Sequence, residues 1–268
     1  MSKTQDQAGL WVWAYDIHSP KVDWPTFNAM MDFLEKNRGK IRGFGFGGDQ
    51  NDNEEISHHN KSKILFRGVG SYARNTELFN TKVLTPIEAA LGAKVEKIWI
   101  EGNHDDWENQ LVQEQPELLG TVERRKLLNL DRRGWVFIST GNVFRLGKLA
   151  VIHGETLTGL GNQAAANHAL RAVLAYGQSV LYGHIHSPQS AARIAPFGQK
   201  DKHMAWCSPI SGKTNPTYLR NRPTAWVNGF TIVEVRKDGT FNVAPIVVTR
   251  GVFNYGGVEY GSRRGRKP

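Results

Sequence analysis

Residues 97–107 read KIWIEGNHDDW, so that an apolar run gives way at once to an asparagine, a histidine and two aspartates. Buried polar groups cost free energy unless they find partners, and this cluster is therefore either a solvated turn or a functional site. The apolar run, within residues 94–102, predicts a buried β-strand. One cluster alone does not separate the two interpretations, but the rest of the chain repeats the pattern.

Four other apolar segments end in Asp or His in the same way. They are LWVWAYD (10–16), IRGFGFGGD (41–49), NVFRLGKLAVIHG (142–154) and SVLYGH (179–184). The third is predicted to be a hairpin that turns at Gly147, and residues 135–139 supply another strand. Shorter extended segments are expected near 190–195, 203–207, 225–236 and 240–249.

Helices are predicted between the strands. They cover 24–38 with Asp23 as the N-cap, most of 54–92, a charged stretch up to 130, and 163–176. Strands that alternate with helices up to about residue 186, followed mostly by strands, favour an α/β core completed by a second sheet.

Ligands of open α/β sheets bind at the carboxyl edge of the strands, where successive loops meet. The polar side chains delivered to that edge include five of the nine histidines. They are Asp16, His18, Asp49, Asp52, Asn103, His104, Asp105, His153, His184 and His186. Imidazole nitrogens with carboxylate or amide oxygens, and no thiolate, suit Mn, Fe or Zn. Two such ions about 3.5–4 Å apart form a clamp used for phosphoester displacement, which is the chemistry we predict.

The five segments resemble, in order, the motifs of the calcineurin-like metallophosphoesterase superfamily. The matching stretches are DIH (16–18), GDQND (48–52), GNHD (102–105), HG (153–154) and GHIH (183–186). The resemblance implies a four-layer α/β/β/α sandwich with two mixed β-sheets and the metal site at the C-terminal strand edges. It also implies two divalent metal ions, with Mn²⁺ expected and Fe, Zn, Ni or Mg as alternatives.

Roles follow from the resemblance motif by motif. One metal would be held by Asp16, His18, Asp49 and His186, and the other by Asp49, Asn103, His153 and His184. His104 would serve the substrate phosphate or the leaving group, steadied by Asp105. The role of Asp52 stays open: it either contributes to the site or caps the segment that follows it.

Departures from the motifs disfavour two branches of the superfamily. Protein phosphatases carry Arg-Gly after the second motif and end the third in Glu, whereas Asn53 and Glu54 follow Asp52 here and the third motif ends in Asp105. Purple acid phosphatases have tyrosine at the position of Asp52. Cyclic-nucleotide phosphodiesterases and repair nucleases share the pattern of this chain.

The charge balance indicates a polyanionic partner such as DNA or RNA. The net charge is +9, and four of the positive residues fall in the last six. Others follow the second and third motifs: Lys61, Lys63, Arg67, Arg74, Arg124, Arg125, Lys126, Arg132 and Arg133. If these segments border the cleft, they would track a phosphate backbone.

We therefore predict a phosphodiesterase for nucleic acid or nucleotides, with nuclease activity among its possible functions. Two alternatives stay open: a phosphomonoesterase for a small molecule, and a non-catalytic nucleic-acid-binding protein with a structural metal site. Trp107, beside the third motif, is a candidate for stacking on a base or aryl group.

Residues 1–250 are predicted to form a single catalytic domain and residues 251–268 a loose basic tail rich in glycine and arginine. Cys207 has no partner for a disulfide, and the N-terminus resembles no signal peptide, so a cytoplasmic protein without a membrane span is expected. GFGFGG (43–48) leads into Asp49 without starting a helix, and its glycines are expected to let the backbone pass close to the metals. SGKT (211–214) lacks the first glycine of a phosphate-binding loop.

Overall fold

A computed structural model describes residues 7–60, 71–160, 167–194 and 202–262. Its strands are β1 Gly9–Ala14, β2 Ile41–Phe46, β3 Glu96–Ile100, β4 Trp135–Ile138, β5 Phe144–Leu146, β6 Leu149–Val151, β7 Val180–Tyr182, β8 Gln189–Ile194, β9 Lys202–Cys207, β10 Gly229–Val235, β11 Phe241–Val247, β12 Val252–Tyr255 and β13 Val258–Gly261. Its helices are α1 Trp24–Lys36, α2 Ser71–Phe79, α3 Thr85–Ala90, α4 Trp107–Glu114, α5 Arg124–Leu127 and α6 His168–Tyr176. A π-helical turn, Asn80–Leu84, joins α2 to α3.

Two mixed sheets form the centre of the fold. The first has the order β11-β10-β1-β2-β3-β4, in which β1 to β4 are parallel and β10 and β11 are antiparallel. The second has the order β5-β6-β7-β9-β8, in which β6, β7 and β9 are parallel and the outer strands are antiparallel. The carboxyl ends of β1, β2, β3, β6 and β7 are followed by the five motifs.

Three separate apolar clusters define four layers. One joins α1, α2 and α3 to the outer face of the first sheet, through side chains such as Phe33 and Phe46. The second lies between the two sheets and includes Trp11 and Trp13. The third joins the second sheet to α6, around Val173. The α/β/β/α sandwich implied by the motifs is therefore confirmed.

The glycines of β2 leave space for large side chains of the neighbouring strand β1. Gly43 and Gly45 lie opposite Trp11 and Trp13 in the parallel register. A Cβ at Gly45 would lie 2.2 Å from Cζ3 of Trp13, and one at Gly43 only 2.3 Å from Trp11. The two indoles thus occupy the space that side chains of β2 would need. The expectation that these glycines bring the backbone close to the metals is wrong for the strand, and only Gly48, next to the His153 ring, fits it.

The predicted tail from residue 251 is in part a folded element. β12 and β13 pair as an antiparallel hairpin, and Phe253 and Tyr260 are buried against Phe33 of α1. The content of glycine and arginine suggested a loose tail, whereas the alternating aromatic residues mark a hairpin that covers α1. The folded unit extends to residue 262, and the basic residues 263–268 lie outside the described range.

Most local predictions agree with the structure. The Asp23 carboxylate accepts a hydrogen bond from the Thr26 N–H over 2.9 Å and caps α1 as expected. The hairpin of β5 and β6 turns at Gly147, which has a φ of 56°. Residues 61–70 and 163–166, both predicted as helical, fall outside the described range. Within the described residues, no helix combines the length and apolar character needed to cross a bilayer.

Candidate metal centre

All ten predicted site residues lie at one edge of the sandwich, in the loops that follow β1, β2, β3, β6 and β7. Five of them have a backbone φ between 49° and 66°, in the left-handed region that residues other than glycine rarely adopt. These five are Asp16, His18, Asp49, His184 and His186. Such conformations cost free energy and persist only where the surrounding structure imposes them, most often at functional sites.

A first cluster consists of Asp16, His18 and His186, all of them buried. Nε2 of His186 lies 3.4 Å from Oδ1 of Asp16 and 3.3 Å from Nε2 of His18. The donor atoms of the three residues lie within 4.8 Å of one another, which is close enough for one ion to bind all three. These residues are three of the four that the resemblance assigns to the first metal.

A second cluster consists of Asp49, His153 and His184. Nε2 of His153 lies 3.3 Å from Oδ2 of Asp49 and 3.3 Å from Nδ1 of His184. The side-chain oxygen of Asn103 approaches the same nitrogen at 3.1 Å. The structure thus brings together all four residues assigned to the second metal, although they come from four different loops.

Asp49 connects the two clusters. Its Oδ2 lies 3.3 Å from Nε2 of His153 and 3.9 Å from Nε2 of His18, so that it faces nitrogens of both groups. Its Oδ1 accepts the backbone N–H of His104 over 2.9 Å, which fixes the orientation of the carboxylate. A carboxylate in this position is suited to bridge two ions.

Hydrogen bonds select the tautomers of two histidines. Nδ1 of His153 donates to the carbonyl of Gly47 over 3.1 Å, and Nδ1 of His18 donates to the Asp52 carboxylate over 3.1 Å. In both rings Nε2 is then the nitrogen that faces the cluster, and it would bind an ion in its unprotonated form. Partners of this kind orient metal-binding histidines and raise their basicity.

His104 is held beside the centre by groups other than the one predicted. Its Nδ1 contacts the backbone carbonyl of Asp52 over 2.8 Å, and its ring packs on Trp107 with centroids 4.2 Å apart. The Asp105 carboxylate instead accepts the N–H groups of Gly102 and Asn51 over 3.0 and 3.4 Å. The prediction that Asp105 steadies the His104 ring is therefore wrong, because its carboxylate turns back to join the loops of the second and third motifs.

Asp52 belongs to the site. Its carboxylate bonds to Nδ1 of His18 and to the ammonium of Lys21, while its carbonyl holds His104. Lys21 also lies 2.9 Å from Glu54, so one ammonium is shared by two carboxylates. Asp52, His18 and His104 form a third overlapping group of donors, but the bond to Nδ1 of His18 marks Asp52 as an orienting partner.

The positive residues after the third motif are mostly neutralised by the protein itself. Arg124 is 3% exposed, and its guanidinium bonds to Glu108 over 2.9 Å. Arg125 pairs with Asp131, Lys126 with Glu123, and Arg133 with Glu88. The segment therefore offers little free positive charge to a phosphate backbone. Lys61, Lys63 and Arg67 lie outside the described residues.

The protonation states suit cation binding. Burial alone would raise the pKa of Asp49, but the imidazoles of His153 and His104 hold that pKa well below its ordinary value. Burial likewise opposes the ionisation of Asp16, yet His186 keeps its pKa lowered. Burial, together with the charge of His153, lowers the pKa of His184 to about 4. Two ionised carboxylates and a neutral imidazole are thus ready to act as ligands.

One buried atom supports the fit of these residues to a metal. Oδ1 of Asp16 is almost wholly buried and makes no hydrogen bond within the described structure, and Nε2 of His186 lies 3.4 Å from it. A buried anionic oxygen without a hydrogen bond is costly, and a divalent cation would satisfy it. The nitrogen and oxygen donors, without thiolate, suit Mn, Fe or Zn.

Two aromatic residues at the centre were not identified from the sequence. The Trp226 ring meets His186 edge to face, with centroids 4.3 Å apart. The Lys21 ammonium lies 4.9 Å from the centre of the Tyr218 ring. Both aromatic residues come from the loop after β9, more than 30 positions beyond the last motif, where no spacing or motif marks them.

No protein-family model and no curated protein matches the sequence. Solved structures with a similar fold include a conserved uncharacterized protein, predicted phosphoesterase, from Streptococcus pneumoniae, at 15% identity over 94% of this chain and 95% of that one, with a TM-score of 0.39. Zinc-bound Vps29 from Entamoeba histolytica matches at 13% identity over 88% and 97%, with a TM-score of 0.41. A 5'-nucleotidase precursor from Thermus thermophilus matches at 12% identity over 88% of this chain but 54% of that one, with a TM-score of 0.34. At such identities the likeness concerns the fold alone.

Proposed function

We propose that this chain is a dinuclear metal-dependent phosphoesterase that hydrolyses phosphodiesters of nucleotides or nucleic acid, with Mn²⁺ as the preferred ion. The observation that carries the proposal is the position of Asp49, whose Oδ2 faces His153 at 3.3 Å and His18 at 3.9 Å. A single carboxylate shared by two sets of nitrogen donors is the arrangement that a two-ion centre needs.

Each group of site residues would have its own role in this reaction. When bound, two divalent ions would supply a nucleophilic water at neutral pH and neutralise charge on the phosphoryl oxygens. Asp16, His18 and His186 would hold one ion and Asn103, His153 and His184 the other. Nε2 of His104 lies 4.0 Å from Oδ2 of Asp49, and in the imidazolium form it would donate to a phosphoryl oxygen or to the leaving oxygen. Asp52 keeps the rings of His18 and His104 in position.

Phosphomonoester hydrolysis is a second candidate because the same centre would perform it. The internal pairing of Arg124, Arg125, Lys126 and Arg133 favours it over action on a long polynucleotide along that segment. A structural metal site without catalysis explains less, since it does not require a positioned His104.

The test is a comparison of substrates with metal-depleted protein reloaded with Mn²⁺. We expect two ions per chain by elemental analysis and faster hydrolysis of bis(p-nitrophenyl) phosphate than of p-nitrophenyl phosphate. Cyclic nucleotides and single-stranded DNA and RNA extend the panel. A strong preference for the monoester would replace the first candidate with the second, and two bound ions without hydrolysis of any ester would leave the non-catalytic function.

A further inference from the structure

We infer that residues 213–226, KTNPTYLRNRPTAW, are the recognition segment of this centre and bind the base and a neighbouring phosphate of a nucleotide. The inference rests on the proposed function and names its substrate class. The segment was not assigned a role by the sequence, since SGKT at its start is no phosphate-binding loop and no motif follows.

Both ends of the segment are hydrogen-bonded to residues of the metal centre. The N–H of Gly212, just before it, donates to the carbonyl of Asp16 over 2.9 Å. The N–H of Val227, just after it, donates to the carbonyl of His186 over 3.1 Å. Asp16 and His186 belong to the same cluster, so the segment begins and ends beside the first proposed metal.

Trp226 gives the segment an aromatic surface at the centre. Its ring is only partly buried and meets His186, whose ring lies 5.2 Å from that of His18. The indole N–H of Trp226 makes no hydrogen bond within the described residues. A tryptophan that packs on a core would ordinarily be buried and bonded, whereas this one offers ring surface and a donor to a ligand.

Tyr218 forms a second contact between the segment and the centre. It is 50% exposed, and its ring receives the ammonium of Lys21, which also bonds to Asp52. The segment therefore touches the site through Trp226 on the His186 side and through Tyr218 on the Asp52 side. A substrate phosphate at the metals would have aromatic surface within reach on both sides.

The segment also carries free positive charge. Lys213, Arg220 and Arg222 are exposed, and residues 213–226 contain no carboxylate. None of the three forms an ion pair with any described residue. This contrasts with Arg124 to Arg133, whose guanidinium and ammonium groups are mostly paired internally. Unpaired guanidinium groups, on a segment whose two ends are hydrogen-bonded to the centre, suit a second phosphate.

The backbone holds these charges in a fixed turn. Arg220 and Asn221 have φ of 50° and 58°, two successive left-handed residues other than glycine. The side chain of Asn215 donates to that of Asn221 over 3.0 Å and closes the loop on itself. Left-handed residues of this kind persist where local contacts enforce them, so the loop presents its cations in a defined arrangement.

Ring surface and cations together specify the ligand class. An inorganic phosphate or an alkyl phosphate would use the metals alone. A nucleotide adds a base, which would stack on Trp226, and a nucleotide with a neighbouring phosphate adds charge for Arg220 and Arg222. A nucleotide-type ester therefore uses every feature of the segment, and a simple phosphate uses none.

Calorimetric titration of the Mn²⁺-loaded protein tests the inference. The ligands are thymidine 5'-monophosphate, the 5'-phosphorylated thymidine dinucleotide and inorganic phosphate. Trp226→Ala should weaken binding of both nucleotides by about 5- to 100-fold, the range that stacking supplies. It should leave the affinity for inorganic phosphate unchanged, and Trp226→Phe should retain most of the affinity for nucleotides.

The double variant Arg220→Ala, Arg222→Ala should weaken binding of the dinucleotide more than binding of the mononucleotide. Lys237→Ala, an exposed cation in the turn after β10, is the matched control and should have no effect.

These outcomes separate the inference from the proposed function. Wild-type affinity for both nucleotides in Trp226→Ala, or an equal loss for nucleotides and inorganic phosphate, would overturn the inference even if esters are hydrolysed. An equal loss for nucleotides and inorganic phosphate would mean that Trp226 only holds the His186 ring in position. Absence of nucleotide binding by the wild type would overturn it too. Selective loss of nucleotide binding in a protein that hydrolyses no ester would support the segment and refute the enzymatic proposal.

Discussion

Asp52 orients His18 through its side chain and His104 through its backbone. Its carboxylate accepts the Nδ1–H of His18 over 3.1 Å, and its carbonyl accepts the Nδ1–H of His104 over 2.8 Å. One residue thus positions a proposed metal ligand and the proposed catalytic histidine. Substitution of the Asp52 side chain removes the bond to His18 and a carboxylate that lies 3.6 Å from Nδ1 of His104, but it keeps the backbone carbonyl that His104 bonds to.

Asp52→Ala should lower metal affinity about 10- to 100-fold, the usual loss when a partner of a metal-binding histidine is removed. Asp52→Asn keeps an acceptor for His18 and should lose less. Competition with a fluorescent chelator measures the affinity. Asp131→Ala breaks an exposed pair with Arg125 and serves as the control. Unchanged affinity in Asp52→Ala would show that the His18 ring does not depend on this bond.

Asp49→Asn should remove both ions and abolish hydrolysis, because the proposed bridge loses its charge. A residue serving only one cluster would leave one ion bound. Elemental analysis after dialysis distinguishes these results, with His203→Ala, a histidine on β9 away from the centre, as the control. Two ions per chain in Asp49→Asn would contradict the bridging assignment.

The positions of the site residues could be predicted because sequence order and sheet geometry determine them together. Strands that end in Asp, Asn or His place these residues at one edge whenever the strands are parallel, as β1, β2 and β3 are. Pairs such as Asp16 and His18 could therefore be assigned without distances. The same logic predicted the two sheets, and the apolar clusters confirm the layers.

The residues that hold the site residues in place could not be predicted, because these contacts depend on the direction in which each side chain turns. Asp105 follows His104 directly, yet its carboxylate turns back to Gly102. Arg124 resembles a free cation in the sequence, but it is buried against Glu108. Trp226 lies 40 positions from His186 and reaches it only because β9 and β10 return the chain to the same edge. No local pattern encodes these contacts.

Gly45→Ala should destabilise the protein by about 1–3 kcal/mol, the usual cost of excess volume in a packed core. The new Cβ would lie 2.2 Å from the indole of Trp13, which is fully buried between the two sheets. Gly39→Ala is a matched control, since its Cβ would meet no atom within 4 Å. Urea denaturation of metal-free protein measures both. Equal stability of the two variants would show that Trp13 can repack.

Metal binding should release a proton from His153. Burial lowers the pKa of this imidazole, but the adjacent Asp49 carboxylate outweighs burial and raises the pKa to about 10. The ring is then protonated at pH 7 to 9 without metal, whereas a ligand must offer a free Nε2. Metal affinity should rise about tenfold per pH unit below pH 10 for this one proton. Titration calorimetry in buffers of different ionisation enthalpy counts the protons, and affinity independent of pH would contradict the prediction.

His104→Gln tests whether the ring acts on the leaving group or only binds phosphate. The ring lies beside Asp49 at 4.0 Å but in neither of the two clusters assigned to the ions, so the variant should keep both. Loss of a general acid lowers the rate by about 10²–10⁴-fold. That loss should shrink for p-nitrophenyl esters, whose leaving group needs little protonation, and remain full for alkyl or nucleoside leaving groups. Rates for a series of diesters with leaving groups of increasing pKa give the answer. A steeper dependence on that pKa in His104→Gln than in the wild type assigns His104 as the acid, whereas parallel lines assign it to phosphate binding, because a donor to a phosphoryl oxygen contributes equally to every member of the series.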